Sequence, residues 1–502
     1  MRGLTATLRY HFVKSAEKTL KAADNLRHTQ EEQLEMLLHY GRKTSWGHRH
    51  RMSIVGGYDD FRKEIPVVAY EDIRTEVMKM VDGEKDVLWP GKVKRFAQSS
   101  GTSDGKSKYI PITDISLSIN HYRGGSESVG HYLRQNPKSR IFDGKAFILG
   151  GSFANELHLN RKGVKIGDLS ANLIDAINPL VNMLRVPTKR IALMEDWGAK
   201  LPALIESAAN QDITNISGVP SWFLTVLQGV IKHKGATTIH DVWPNLEVFF
   251  HGGISFRPYR SQYELITDCS KMHYLETYNA SEGFFAVQIE KDSNRMMLLP
   301  DAGVFYEFIP SGGDEKQAVP AWEVKKGGIY SMIITACNGL WRYQIGDVVK
   351  IEETAPLLVT IAGRTKHFIN AFGEEVMVHN TDAAIEKACR ETGCHICNYT
   401  VAPVFSENGR KGRHQWLIEF DVPPTNLEEF AHILDIKLQA ENSDYQAKRQ
   451  HDIFLDCLTV TPARLGLFDD WLRKSGKLGG QRKIPRLSNE RKTLDELLKM
   501  NK

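Results

Sequence analysis

Residues 99–108 read Ser-Ser-Gly-Thr-Ser-Asp-Gly-Lys-Ser-Lys, between two segments that read as strands, 93–97 (Val-Lys-Arg-Phe-Ala) and 109–112 (Tyr-Ile-Pro-Ile). A stretch so placed must join strands, and that constrains the fold more than any other part of the chain. Its five hydroxyl side chains, two glycines and closing lysine suit a phosphate: hydroxyls and bare N–H groups meet the oxygens, glycine lets the main chain approach, and lysine neutralises charge. A flexible polar loop has the same composition. A P-loop is excluded, because it needs four residues between its first glycine and the Gly-Lys-Ser. Here Gly101 and Gly105 enclose only Thr102, Ser103 and Asp104, and Pro111 lies in a strand-like segment where a P-loop would open a helix.

The rest of the pattern is that of an α/β protein. Helical spacing dominates residues 10–43, and Thr113 is placed to cap a helix running to about Gln135. Over 141–260 short apolar runs alternate with helical segments (146–149, 201–209, 221–233, 246–250), which implies a parallel sheet with covering helices. From about 296 to 362 strands prevail, as in a small barrel-like subdomain, and 376–502 reads as a separate α+β unit. At 502 residues the chain exceeds one ordinary core. The expected organisation is a large domain over 1–362, a hinge at 363–375 and a small C-terminal domain over 376–502.

Charge and cysteine content narrow the class. Net charge is +4, and residues 1–51 hold ten Lys/Arg against five Asp/Glu, leaving the remainder near neutral. Because those charges are mixed and interleaved with Leu34, Met36, Leu37 and Leu38 at helical spacing, they read as a solvated helix face rather than a nucleic-acid surface. No apolar run approaches the roughly 18 residues of a membrane helix, and no signal-peptide core follows Met1. Six irregularly spaced cysteines imply reduced thiols and a cytoplasmic setting. The Cys394-His395-Ile396-Cys397 element lacks the second pair a structural zinc needs.

Four further motifs follow in order. Tyr278-Asn279-Ala280-Ser281-Glu282 closes an apolar run and offers an aromatic face, a hydroxyl for a phosphate oxygen and a carboxylate for Mg²⁺; a strand-end turn is the plainer reading. In Trp341-Arg342-Tyr343-Gln344-Ile345-Gly346-Asp347 the aspartate is acceptor-only and suits two ribose hydroxyls, while Gly-Asp alone reads as a hairpin turn. Gly363-Arg364-Thr365-Lys366 and Gly373-Glu374-Glu375 come next. Finally, Lys483 in Gly479-Gly480-Gln481-Arg482-Lys483-Ile484-Pro485-Arg486 is flanked by glycines on one side and proline on the other. Such a loop can move yet is shaped at its tip. Phe250-His251-Gly252-Gly253 ends one strand in a tight turn where an adenine could lie on bare backbone.

Taken together and in this order, these elements resemble the auxin-responsive acyl acid–amido synthetase family, one branch of the acyl-adenylate-forming superfamily. The arginine and tyrosine at 342–343 stand in reversed order relative to the family's motif. The resemblance implies that Ser99, Ser100, Gly101, Thr102, Ser103, Gly105, Gly252, Gly253, Tyr278, Ser281, Asp347 and Arg364 hold ATP. It implies that Glu282 holds Mg²⁺, that Lys108, Glu282 and the mobile Lys483 act in catalysis, and that the acyl pocket lies near 217–223 and the helix from 114. The expected activity joins a small carboxylic acid to an amino acid through an acyl adenylate. A thioester-forming acyl-CoA synthetase and a catalytically silent nucleotide-binding protein are the alternatives, the latter opposed by Glu282, Asp347 and Lys483 occurring together.

Overall fold

The computed structural model describes all residues except 1–2, 100–107, 155–162, 254–255, 365–367, 370, 373, 375, 406–411, 443–444, 447–448, 450–454 and 475–483. The described residues group into two units, one of 3–253 with 266–360, the other of 256–265, 361–474 and 484–502.

In the first unit the N-terminal helical pattern becomes two helices, Leu4–Asp24 and Leu26–Gly41, which bury Leu34, Leu37 and Leu38 and keep Lys14, Lys18 and Lys21 outside. Thr113 caps the next long helix as expected. The backbone N–H groups of Thr113 and Ser116 each donate to the other's hydroxyl at 2.9 Å. That helix is π-helical over Ser116–Tyr122 before continuing as Arg123–Gln135.

The alternating segment forms the parallel flank of a twelve-stranded sheet. Arg185–Val186, Lys145–Ile148, Ile213–Gly218, Val248–Gly252 and His273–Ala280 lie side by side in that order. Ile213, Ile216, Val248 and Phe249 are buried in these strands, as an apolar run with helices on its faces requires. At residues 280–283 the chain reverses, and all later strands of the sheet pair antiparallel. The strands over 296–364 therefore continue the hydrogen-bond ladder of the parallel flank instead of making a sheet of their own, because that tight reversal pairs Gly283–Gln288 directly with His273–Ala280. A smaller sheet holds Lys108–Ile112, Arg95–Ser99 and Lys165–Gly167, with Ser99 opposite Lys108 at the mouth of the hairpin that the sequence required.

The second unit carries a three-stranded sheet, His395–Val404, Arg413–Val422 and Thr459–Ala463, with helices Val378–Thr392 and Leu427–Glu441 against it. Trp416, Tyr399, Phe430 and Leu434 are fully buried between them. Residues 256–265 belong to this unit, although they form part of the crossover from Val248–Gly252 to His273–Ala280. No helix among the described residues is long and apolar enough to cross a membrane.

Candidate active site

In open α/β sheets ligands bind outside the carboxyl ends of parallel strands, and Gly252, Tyr278, Ser281 and Glu282 lie at or just beyond two such ends. Gly252 ends Val248–Gly252 opposite Thr277. A Cβ on Gly252 would stand 2.4 Å from the Thr277 carbonyl oxygen, so the parallel pairing itself demands glycine. Gly253 follows with φ +83°, a left-handed conformation that glycine adopts without strain.

The next strand, His273–Ala280, delivers Tyr278 and, just beyond its end, Ser281 and Glu282. Tyr278 is buried, its ring edge-on to Phe285 at 5.1 Å. Its hydroxyl donates to Asp347 Oδ2 at 2.6 Å, joining two residues 69 positions apart. Among the described residues Ser281 Oγ is buried with no hydrogen-bond partner, an arrangement that costs free energy unless another group satisfies it. Glu282 is buried beside it, and its main-chain carbonyl accepts from Asn338 Nδ2 at 3.0 Å.

Asp347 owes its position to a bulge. Ile333 pairs with Gln344 and Ser331 with Val348, so residues 345–347 face the single Met332. Gly346, at φ +85°, takes the kink. The hairpin-turn reading of Gly346-Asp347 is thereby replaced: the pair lies inside the long strand Leu340–Thr354, and the extra residues re-aim the carboxylate.

Arg342, a few residues earlier on that strand, is buried and held in the core. Its guanidinium forks onto Glu307 at 2.8 and 2.9 Å and donates to the carbonyls of Arg62 and Ile65. Tyr343 points the other way, toward the strand Lys108–Ile112, where Lys108 Nζ donates to its hydroxyl at 3.2 Å. The Lys108 ammonium lies 5.8 Å from the ring centroids of both Tyr343 and Tyr70. Burial pushes the Tyr70 hydroxyl up to about 12, so it remains a neutral acceptor for the Tyr109 N–H at 2.8 Å.

Gly252, Gly253, Tyr278, Ser281, Glu282, Lys108 and Asp347 therefore all lie in the first unit. Ser99 ends its strand at the hairpin mouth, and Arg364 ends Leu357–Arg364. Ser100, Gly101, Thr102, Ser103, Gly105 and Lys483 lie outside the described residues. Asn338, Tyr343 and Tyr70 are additions from the structure; Tyr343 lay within a quoted motif, whereas nothing local singled out the others. Phe223, near the expected acyl pocket, is core, packed edge-on to Phe147 and Phe249 at 5.3 Å.

No group of three or more His, Cys, Asp or Glu side chains among the described residues is placed to hold a metal ion. Mg²⁺ keeps its waters and takes one or two carboxylates plus substrate phosphates, so a single carboxylate is enough to hold it. Glu282 beside the Ser281 hydroxyl, unpartnered among the described residues, fits such an ion.

Three family descriptions match the chain: the GH3 family N-terminal domain over residues 15–272, the central domain over 296–364 and the C-terminal domain over 379–492. Among curated proteins, the 4-substituted benzoates-glutamate ligase GH3.12 of Arabidopsis thaliana is 22% identical, the match covering 96% of each chain. The indole-3-acetic acid-amido synthetase GH3.4 of the same plant is also 22% identical, over 70% of each chain. Among solved structures, AtGH3.15 acyl acid amido synthetase in complex with 2,4-DB has the same fold at TM-score 0.79 and 18% identity, covering 97% of this chain and 96% of that one. A 2-hydroxyisobutyryl-CoA ligase in the postadenylation state aligns at TM-score 0.59 and 12% identity, over 98% and 92%.

Proposed function

The chain belongs to the GH3 family, and on that footing we propose that it adenylates a small carboxylic acid with ATP and passes the acyl group to an amino acid, forming an amide. The observation that carries this reading is the Tyr278–Asp347 hydrogen bond next to the Ser281 hydroxyl, unpartnered among the described residues, at the carboxyl ends of the parallel strands.

In the first half-reaction a carboxylate oxygen attacks the α-phosphorus of ATP, and the bond to pyrophosphate breaks. In the second, the amine attacks the acyl carbonyl, AMP leaves, and the amine sheds a proton. Both partners of the first step are anions, so its barrier is largely electrostatic. One opposite unit charge near 4 Å is worth about 4 kcal/mol at an effective dielectric of 20, or roughly three decades of rate. Lys108, the hairpin hydroxyls and Lys483 supply such terms at the phosphates. Mg²⁺ held at Glu282 adds charge neutralisation between the phosphates when bound.

In this reading Tyr278 packs against adenine, Asp347 accepts from the ribose hydroxyls, and Gly252 and Gly253 offer bare backbone. Arg364 opens the hinge at 363–375, and the stretch 376–502 swings to withdraw Lys483 and admit the amine. The carboxyl ends of Ile213–Gly218 and Val248–Gly252, adjacent in the sheet, wall the acyl pocket. Six free cysteines accord with a reducing, cytoplasmic setting, and neither nucleic acid nor membrane takes part.

Indole-3-acetate, a 4-substituted benzoate and 2,4-DB, the acids named for the relatives, make a first panel for ATP–pyrophosphate exchange. Exchange with a carboxylate supports the reading, and none with any carboxylate in a wider panel opposes it. Two substitutions sharpen the site. Tyr278→Phe and Asp347→Asn should each weaken ATP by about 1–2 kcal/mol, yet the double variant should lose little more than the worse single one, because they share one charge-assisted hydrogen bond. Calorimetry showing full additivity would dissolve that coupling. Glu282→Gln should raise the Mg²⁺ concentration needed for half-maximal exchange while leaving Mg²⁺-free nucleotide binding nearly unchanged. An unaltered Mg²⁺ profile removes Glu282 from the ion.

A further inference from the structure

Lys200 is a charged residue in a closed place. It lies in the first turn of the helix Trp197–Ala209, is 2% exposed, and does none of the binding or chemistry assigned above. All three donors of its ammonium find main-chain oxygens. Nζ donates to the carbonyls of Gly150 at 2.7 Å, of Gly151 at 3.2 Å and of Met194 at 3.2 Å. Burying an ammonium costs free energy, a cost that an apolar side chain of similar length would avoid. What the ammonium adds is a grip on two consecutive carbonyls of one loop.

The N–H groups of that loop are held as well. Asp168 Oδ2 accepts from the Ser152 N–H at 2.7 Å, and the Asp168 N–H donates to the Ser152 carbonyl at 2.9 Å. The Ser170 hydroxyl accepts from the Gly151 N–H at 2.8 Å. Side chains have no room here: a Cβ on Gly150 would meet Ile174 Cδ1 at 2.3 Å, and one on Gly151 would meet Asp168 Oδ2 at 1.9 Å. Lys200 through the carbonyls, and Asp168 and Ser170 through the N–H groups, thus fix Gly150-Gly151-Ser152 in one conformation.

The loop continues from the carboxyl end of Lys145–Ile148, whose parallel neighbour is Ile213–Gly218. Ile148 stands opposite Ser217, and the Leu149 N–H donates to the Ser217 carbonyl at 3.2 Å, so the two strand ends leave the sheet together. A Cβ on Gly218 would stand 3.4 Å from the Leu149 Cβ. The helix of Lys200 reaches the same place by another route. Its Trp197, 5.9 Å from Lys200 Nζ, lies 5.5 Å from Trp222 in the first turn of the helix that follows Gly218, and both rings are half-buried. We propose that Lys200 is a positioning residue for the acyl pocket: by tying Gly150 and Gly151 it sets the wall that the end of Lys145–Ile148 adds beside Ser217 and Gly218. The inference rests on the adenylation reading and on its placing of the acyl pocket at these strand ends, to which it adds a third.

The test is ATP–pyrophosphate exchange by the full chain, with ATP and the panel carboxylate that the wild type uses best varied in turn. Lys200→Met removes the donors and should raise the carboxylate KM about tenfold, the equivalent of one charge-assisted hydrogen bond. Its KM for ATP and its limiting rate should stay at the wild-type values, a split that general loosening of the fold does not produce. A pH series separates charge from packing. Burial pulls the Lys200 ammonium down to about 8 against the raising effect of Asp168; Glu195 and Asp196 are exposed, and Asp196 caps the N–H groups of Gly198 and Ala199. The wild-type carboxylate KM should therefore climb between about pH 7 and about pH 9 as the ammonium loses its proton, and the Lys200→Met KM should not. Ser170→Ala, which takes the acceptor from the Gly151 N–H, should show the same split at smaller size and serves if Lys200→Met does not fold. A carboxylate KM that stays put in Ser170→Ala and in any folded Lys200→Met, or that rises in step with the ATP KM, overturns the inference alone. No exchange by the wild type with any carboxylate overturns the adenylation reading, and this inference with it.

Discussion

Lys483→Ala is expected to abolish acyl-adenylate formation while leaving ATP binding almost unchanged. Removing one cation from a reaction between two anions forfeits a contribution of about 4 kcal/mol, roughly a thousandfold in rate. ATP itself is held, in the proposed function, by Tyr278, Asp347 and the glycines at 252–253, all in the first unit. If the lysine serves only the first half-reaction, the variant still consumes pre-formed acyl adenylate at the wild-type rate. Undiminished pyrophosphate exchange would remove Lys483 from the chemistry.

The second large effect is on stability. Arg342→Met should destabilise the first unit by about 3–5 kcal/mol, because it strands the Glu307 carboxylate in the core. The two side chains are 5% and 1% exposed, so solvent offers Glu307 no substitute partner. The Tyr58 hydroxyl, which donates to Glu307 Oε1 at 3.1 Å, neutralises none of the charge. Replacing Glu307 by Leu in the same chain should recover most of the loss, since an apolar pair of similar volume is often as stable as a buried ion pair. Denaturant unfolding followed by tryptophan fluorescence suits the measurement, because Trp46, Trp89 and Trp341 stack in this core. An Arg342→Met variant of unchanged stability but lost activity would return Arg342 to the active site.

That residue shows where sequence reading stops. The motif around 341–347 drew notice for chemistry, and Asp347 does stand beside Tyr278. The purpose of Arg342 was illegible because its partner is 35 residues away on another strand, and no local pattern announces a buried pair. The bulge at 345–347 was equally hidden: Gly-Asp between apolar runs has the composition of a turn, and only the pairing of two neighbouring strands makes it a kink. By contrast, the hairpin strands flanking 99–108, the helix capped by Thr113 and the parallel strands Lys145–Ile148 and Val248–Gly252 were readable, whereas Arg185–Val186 and Ile213–Gly218 between them were not. Each readable element depends on spacing within one segment, where periodicity and capping chemistry act directly. The strands from 296 onward were legible as strands, while their union with the parallel flank was decided by one reversal at 280–283.

The most direct measurement is mass spectrometry of one reaction mixture containing ATP, Mg²⁺, the carboxylate that supports exchange, a panel of amino acids and, in a parallel vessel, coenzyme A. The proposed function predicts an acyl–amino acid amide accompanied by stoichiometric AMP and pyrophosphate, and no thioester in the parallel vessel. An acyl-CoA product with no amide across the whole panel would contradict the amide-ligase assignment while sparing the adenylation step that precedes it.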